Sequence, residues 1–177
     1  MNDITLRPCE AAAHAGAILA IFNDAIANST ALYEYQPRTL KTMETWFATK
    51  EAGGFPVIGA FDTAGELLGF ASWGTFRAFP AFKYTVEHSV YVRHDQRGRG
   101  IGQQLLRELL RLAEAGDRIH ALIAGIDMQN TGSIALHEKL GFRHVGTLPQ
   151  VGFKFGRWLD LGFWQLTLAT PQQPVDG

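Results

Sequence analysis

Apolar residues recur along the chain in two rhythms, one of about three and a half residues and one of two. Ile18, Leu19, Phe22 and Ile26 share one face at helical spacing, which predicts a helix over residues 10–28. Met43, Trp46 and Phe47 repeat that spacing after Thr39, a residue type that caps helices, and Gly53-Gly54 closes the second helix. Residues 4–7, 55–61 and 66–76 are β-like, and the D-T-A-G between the last two reads as a hairpin turn. Ser89 to Val92 is a further β-favouring run without Gly or Pro. Ile101, Leu105, Leu109 and Leu112, flanked by Leu106 and Leu110, form the apolar stripe of a helix that ends at Gly116. Residues 121–126 follow as a buried strand, and a short helix from Thr131 to Leu140 is stopped by Gly141. Residues 142–145 resume a strand, and a last β-like pair straddles Gly156-Arg157-Trp158 and ends at residues 163–168. The order β-α-α-β-β-β-α-β-α-β-β predicts an α/β fold with a mixed sheet and helices on both faces.

Length and composition narrow the class. The chain's 177 residues can bury one core, so residues 1–170 are expected to form a single domain, with a polar, disordered tail over 171–177. Hydrophobic residues make up 46% and charged residues 19%, the balance of a globular protein. Sixteen basic against seventeen acidic side chains leave a net charge of −1, so no nucleic-acid-binding surface is expected and any anion site must be local. Cys9 is the only cysteine, which excludes an internal disulfide and a cysteine-based zinc site. No H-x-x-H, H-E-x-x-H or carboxylate cluster suggests a metal. The N-terminus lacks the apolar run of a signal peptide and no stretch nears membrane-spanning length, so a cytoplasmic protein is expected.

The most informative stretch is E-H-S-V-Y-V-R-H-D-Q-R-G-R-G-I-G, residues 87–102. A strand passes through a charged loop with Gly98, Gly100 and Gly102 on alternate positions and enters a helix. Unpaired amides at a helix N-terminus, approached over residues without Cβ, make a phosphate cradle. A dinucleotide fingerprint would need G-x-G-x-x-G, and a nucleotide P-loop would need G-K-[ST]; Gly102 is followed instead by Gln103 and Gln104. What remains is R-x-x-G-x-G at Arg97, Gly100 and Gly102, with Asn130 downstream.

That pattern resembles the acetyl-CoA site of the GCN5-related N-acetyltransferase (GNAT) superfamily. T-V-E-H-S-V-Y-V at 85–92, I-x-x-x-N-x-x-S-x-x-L-H-x-x-L-G-F ending at Phe142 and P-Q-V-G-x-K-F-G-R-W-L-D-L at 149–161 occur in order. Together they are similar to its phosphinothricin and methionine sulfoximine/methionine sulfone N-acetyltransferase branch, from about Ile4 to Leu168. The resemblance implies a sheet splayed at the cofactor strand. It implies acetyl-CoA as co-substrate, held by Arg97, Gly98, Arg99, Gly100, Ile101, Gly102 and Gln103 at the pyrophosphate. Val90, Tyr91 and Val92 would lie along the pantetheine arm, with Asn130 and Ser133 as further contacts. Asn130 could equally cap the helix that follows, or do both.

For the acceptor, Arg77-Ala78-Phe79 matches the branch's R-x-F element, and an arginine fork suits a carboxylate. Glu87, His88 and Ser89 fall in its substrate-contacting E-H-S element, some of those contacts being through the backbone. Proton handling falls to Glu87 and His137, because an ammonium group must lose a proton before its nitrogen can attack. Many relatives place a tyrosine where His137 stands, which leaves its role open between acid, base and hydrogen-bonding wall. Asn130, Ser133 and His137 share one helix face. Tyr33 and Tyr35 either touch substrate or pack at an exposed edge, and Asp127, Lys154, Arg157 and Asp160 stay open between pocket roles, dimer contacts and ion pairs.

The expected activity is acetylation of the α-amino group of a small amino acid or a glutamate- or methionine-like analogue, by direct attack in a ternary complex. Methionine sulfone, methionine sulfoximine and phosphinothricin are the acceptors that the resemblance implies, along with a role in detoxification and a homodimeric assembly. The rivals are acetylation of a protein N-terminus or a polyamine, and a catalytically silent acyl-CoA sensor.

Overall fold

The computed structural model describes residues 4–176, and it contains the expected elements in the expected order. Residues 1–3 and 177, which the sequence reading gives to the domain's start and the tail's end, lie outside the described residues. Strand β1 (Thr5–Pro8) leads to helices α1 (Ala11–Asn28) and α2 (Leu40–Gly53). Strands β2 (Val57–Phe61), β3 (Leu67–Thr75) and β4 (Thr85–Val92) precede α3 (Ile101–Ala115). Strand β5 (Ala121–Asp127), helix α4 (Thr131–Lys139) and strands β6 (Arg143–Lys154) and β7 (Arg157–Thr167) complete the chain.

Local chemistry explains the boundaries. The Thr39 hydroxyl accepts from the Thr42 amide and the Thr42 hydroxyl accepts from the Thr39 amide, a reciprocal cap that starts α2. Gly54 ends that helix in the left-handed region at φ 62°. In the β2–β3 turn one Asp62 oxygen accepts from the amides of Ala64 and Glu66 at 3.0 and 2.8 Å. Phe155 and Gly156, at φ 50° and 73°, form the two-residue turn between β6 and β7.

Two elements extend well beyond the β-favouring runs that mark them. β4 begins at Thr85, ahead of the Ser89–Val92 run, and carries Glu87 and His88 as expected, His88 being buried like a core residue. β6 continues through Gly146, Pro149 and Gly152, residues that read as breakers, and absorbs them in register shifts at His144/Gly146 and Leu148/Gly152.

The seven strands are ordered β1-β2-β3-β4-β5-β7-β6. The parallel β4–β5 ladder pairs Thr85, Val86 and Glu87 with Ala121, Leu122 and Ile123 and ends there. β5 pairs with β7 over its full length, Ala121–Asp127 against Leu161–Thr167.

The chain divides into two compact units. One comprises the residues up to Trp73 together with Ser89–Leu109. Its core joins Ile18, Ile21, Phe22, Met43, Val57, Phe61, Leu67 and Phe70. Phe22 meets Phe70, Tyr91 and Trp46 edge-on at 5.0, 5.2 and 5.6 Å between ring centres. Truncating so crowded a ring to alanine costs about 3–5 kcal/mol. The other unit comprises Gly74–His88 and Leu110–Gly177, with Leu122, Ile126, Phe142, Leu159 and Trp164 in its interior.

Candidate active site

The glycine loop leaves its main chain bare. Gly98 and Gly100 adopt φ of 77° and 76°, and a Cβ built on either would meet nothing within 4 Å. Glycine is therefore required there by backbone angle and not by crowding. Residues 97–100 are exposed, and Ile101 turns inward as the first apolar anchor of α3. The first hydrogen bond of that helix runs from the Gln104 amide to the Gly100 carbonyl at 3.1 Å. The amides of Ile101, Gly102 and Gln103 precede it, where a helix has no internal acceptor to offer, so they are available to an anion. Arg99 donates to the Gln96 side chain. Arg93 is occupied by Asp95 and Glu66. Gly69 on β3 admits β4 closely, since a Cβ there would stand 2.7 Å from the Tyr91 carbonyl oxygen and 3.1 Å from the Val92 Cα. No sequence pattern marks Gly69; only the register of the strands reveals it.

Glu87 lies at the last rung of the β4–β5 ladder. Its carboxylate rests over Gly125: a Cβ there would sit 3.2 Å from Glu87 Oε1, 3.4 Å from Leu161 Cδ1 and 3.7 Å from Phe163 Cε1. Among the described residues the carboxylate has no hydrogen-bonding or ionic partner. Solvent reaches the side chain, but the apolar bed withholds part of the carboxyl's hydration, and this desolvation raises its pKa above the usual carboxylate value. An accessible, unpaired carboxylate of raised basicity is suited to accept a proton at neutral pH. Gly125 is a second residue that sequence reasoning misses, because its role depends on a side chain from another strand.

His88, the next residue, points to the other face of β4 and is 5% exposed. Its Nε2 lies 2.9 Å from Nε2 of His137, which is also 5% exposed. The His137 Nδ1 lies 2.7 Å from the Ser133 carbonyl oxygen and 3.4 Å from the Ser133 hydroxyl. Burial lowers the pKa of both rings, to about 3 for His88, where the neighbouring imidazole adds to the effect and the Ile123 carbonyl partly opposes it. That carbonyl does not reach hydrogen-bonding geometry, and His88 Nδ1 is buried without a partner. Asn130 caps α4, its side-chain oxygen accepting from the Ser133 amide at 3.1 Å. The structure thus brings His88, Ser133 and His137 together, with Asn130 in its capping role, and leaves Glu87 apart from His137 on the other face of β4.

A model of the acetyltransferase (GNAT) family matches residues 18–142. The chain belongs to the GNAT acetyltransferase family. This acetyltransferase is 52% identical over 151 residues to the L-methionine sulfoximine/L-methionine sulfone acetyltransferase of Pseudomonas aeruginosa, covering 85% of this chain and 87% of that protein. It is 35% identical over 178 residues to the phosphinothricin N-acetyltransferase of Streptomyces viridochromogenes, covering 98% and 94% of the two. A solved phosphinothricin acetyltransferase of Sinorhizobium meliloti, in complex with AcCoA, has a TM-score of 0.91 at 36% identity, over 97% of this chain and 92% of that one.

The acetyltransferase carries Arg77, Ala78 and Phe79 on an exposed loop. Arg77 lies over the Phe76 ring at 5.5 Å, and Phe79 is 70% exposed. Tyr33 and Tyr35 are likewise exposed. Asp127 is buried and accepts from Arg157 Nη2 at 2.8 Å, which ties the β6–β7 turn to the segment before α4. Lys154 is buried as well, and Asp160 accepts from the Gln150 amide at 2.8 Å, closing the bulge in β6. The Cys9 thiol is pushed up to about 12 by burial and is no nucleophile at neutral pH. A cavity of about 420 Å³ lies between Lys83, Arg118 and residues 171–173, and it contains none of the expected site residues. Residues near it are held by Tyr84, whose hydroxyl donates to the Val175 carbonyl at 3.0 Å. Among the described residues no group of acidic, histidine or cysteine side chains could hold a metal, and no helix is long and apolar enough to cross a membrane.

Proposed function

We propose that this N-acetyltransferase moves the acetyl group of acetyl-CoA onto the α-amino group of a small amino acid or an analogue of glutamate or methionine. L-Methionine sulfone, L-methionine sulfoximine and phosphinothricin-like compounds are the acceptors, which fits a detoxifying role. The Glu87 carboxylate carries this reading: it is accessible, unpaired and raised in basicity on the bed over Gly125. The names of the similar proteins point to the same chemistry.

In this reading Glu87 takes one proton from the acceptor's ammonium group. The freed nitrogen attacks the thioester carbonyl carbon, the C–N bond forms, the C–S bond breaks, and a second amine proton passes to the departing thiolate. The amides from Gly98 to Gln103, with Arg97 and Arg99, hold the pyrophosphate. Val90, Tyr91 and Val92 align the pantetheine arm, and Asn130 and Ser133 add polar contacts. Arg77, Ala78 and Phe79 receive the amino acid, together with Ser89 and the main chain of His88. His137, sealed and engaged at both ring nitrogens, serves as a hydrogen-bonding wall.

We further read residues 1–170 as one catalytic domain working in the cytoplasm as a homodimer. Val145, Leu148, Val151, Phe153, Phe155 and Trp158 support the dimer, because they leave a run of exposed apolar side chains on the β6–β7 hairpin. Light scattering should give twice the chain mass.

The activity is tested by following thiol release from acetyl-CoA with a panel of amines. Turnover of methionine sulfone or methionine sulfoximine is expected. Release only with polyamines or peptide N-termini would replace the acceptor assignment, and absence of acetyl-CoA binding by calorimetry would end it.

A further inference from the structure

The histidine pair has no place in the proton inventory above, yet its geometry is restrictive. A carbonyl oxygen can only accept, so the 2.7 Å approach of His137 Nδ1 to the Ser133 carbonyl puts a proton on that nitrogen. The neutral ring then has a bare Nε2, which faces His88 Nε2 at 2.9 Å and must accept from it. His88 in turn has its one proton on Nε2, which leaves Nδ1 bare and, in this structure, buried without a hydrogen-bonding partner. Each ring's tautomer therefore dictates the other's. Both rings also meet Phe142, at centroid distances of 5.1 and 5.2 Å, the Ser133 hydroxyl lies beside His137, and the Ile123 backbone lies beside His88. None of these brings a charged side chain to the rings. The link joins α4 to β4 at the residue after Glu87, where the β4–β5 ladder has just ended. Beyond that rung β4 keeps β3 as its neighbour but no longer pairs with β5, and on that side the imidazole bridge ties the strand to α4.

We propose that His88 and His137 act as a positioning pair, a neutral N–H···N bridge that pins β4 one residue past Glu87 and so holds the Glu87 carboxylate on its bed over Gly125. The role rests on the reading of Glu87 as the base. Alternation along the strand transmits it: a backbone fixed by an inward His88 side chain also fixes the direction of the outward Glu87 side chain. Neither histidine needs to touch the acceptor or exchange a proton with it.

The test is a mutant cycle on the full-length protein, with methionine sulfone as acceptor. His88→Leu, which removes the donor, should lower kcat about tenfold by misplacing the base, while the acetyl-CoA KM changes little. His88→Gln places an amide donor near the lost Nε2 and should recover most of that loss. In a Glu87→Gln background, His88→Leu should cost less than about twofold more, because the group it positions is already gone. An equal factor in both backgrounds leaves the base standing and overturns the pair's role, as does a full-rate His88→Leu. A full-rate Glu87→Gln instead removes the base reading, and the positioning role with it. A measurement on the unsubstituted protein is independent of how the variants fold. Nitrogen NMR of the imidazoles should show one protonated and one bare Nε2, scalar-coupled across the bridge, with His88 still neutral at about pH 5. Two like Nε2 atoms without coupling, or ordinary histidine titration, would overturn the proposal.

Discussion

At Gly98 and Gly100 the backbone turns to positive φ with open space where side chains would stand, whereas at Gly125 the missing Cβ is matched by a carboxylate oxygen 3.2 Å away. Glycine serves two unlike purposes in these two regions. In the loop it leaves main-chain amides exposed, as the proposed diphosphate site needs, and little else in that region is buried. On β5 it makes room for the Glu87 carboxylate, the base in the proposed reaction. The loop acts through backbone dipoles that no substitution at a neighbouring position removes. The region around Glu87 acts through burial and therefore depends on every atom around the carboxyl.

Substitutions that separate kcat from cofactor affinity sharpen this contrast. The largest effect is expected of Glu87→Gln, which should lower kcat by about two to four orders of magnitude with acetyl-CoA affinity nearly unchanged, read by steady-state kinetics and calorimetry. In the unsubstituted enzyme the acid limb of kcat/KM should lie above the usual carboxylate range, because burial raises the Glu87 pKa. A limb at the ordinary carboxylate value would show that Glu87 is not the titrating base. Gly100→Val should do the reverse. Placing a β-branched residue at φ 76° strains the loop by about 1–2 kcal/mol, so acetyl-CoA binding should weaken about tenfold in calorimetry, while kcat at saturation falls less.

The histidine pair gives a pH dependence of stability with a definite sign. The folded-state pKa of His88 is about 3 against 6.5 for the free side chain, so its contribution is fully present above pH 6.5. It is lost as pH falls from 6.5 towards 3, because the unfolded chain takes up a proton that the folded one refuses. By pH 5 this single ring should cost about 2 kcal/mol, measurable by urea unfolding, and His88→Gln should flatten that slope.

Arg77→Ala should raise the amino-acid KM about tenfold, the loss of one charge-assisted hydrogen bond, and leave the acetyl-CoA KM alone. The smallest effect is expected of Gly125→Ala. The carboxylate is the mobile end of its side chain and can yield a few tenths of an ångström, so kcat should fall only about two- to threefold. A larger fall in acetyl-CoA affinity than in kcat would erase the contrast between the two regions.

Along the chain, physics that acts within a turn or two was legible from residue order. The Thr39 cap, the stripe from Ile101 to Leu112, the Asp62 turn and the alternating glycines each depend on neighbours a few positions away. They determined the element order, the phosphate-type loop and the family resemblance. The same locality explains why β6 runs past its predicted end, where two bulges broke a pattern that the sheet tolerates. Tertiary structure alone decided what surrounds each functional group. His88 and His137 stand 49 residues apart in sequence and share a hydrogen bond, and Arg157 reaches Asp127 across 30. Glu87 and His88 are adjacent, yet one becomes an accessible carboxylate of raised basicity and the other a sealed neutral ring. Residue order specifies which groups can ionise. Whether they do at a given pH depends on water excluded by other segments, and that is settled only once the chain has folded.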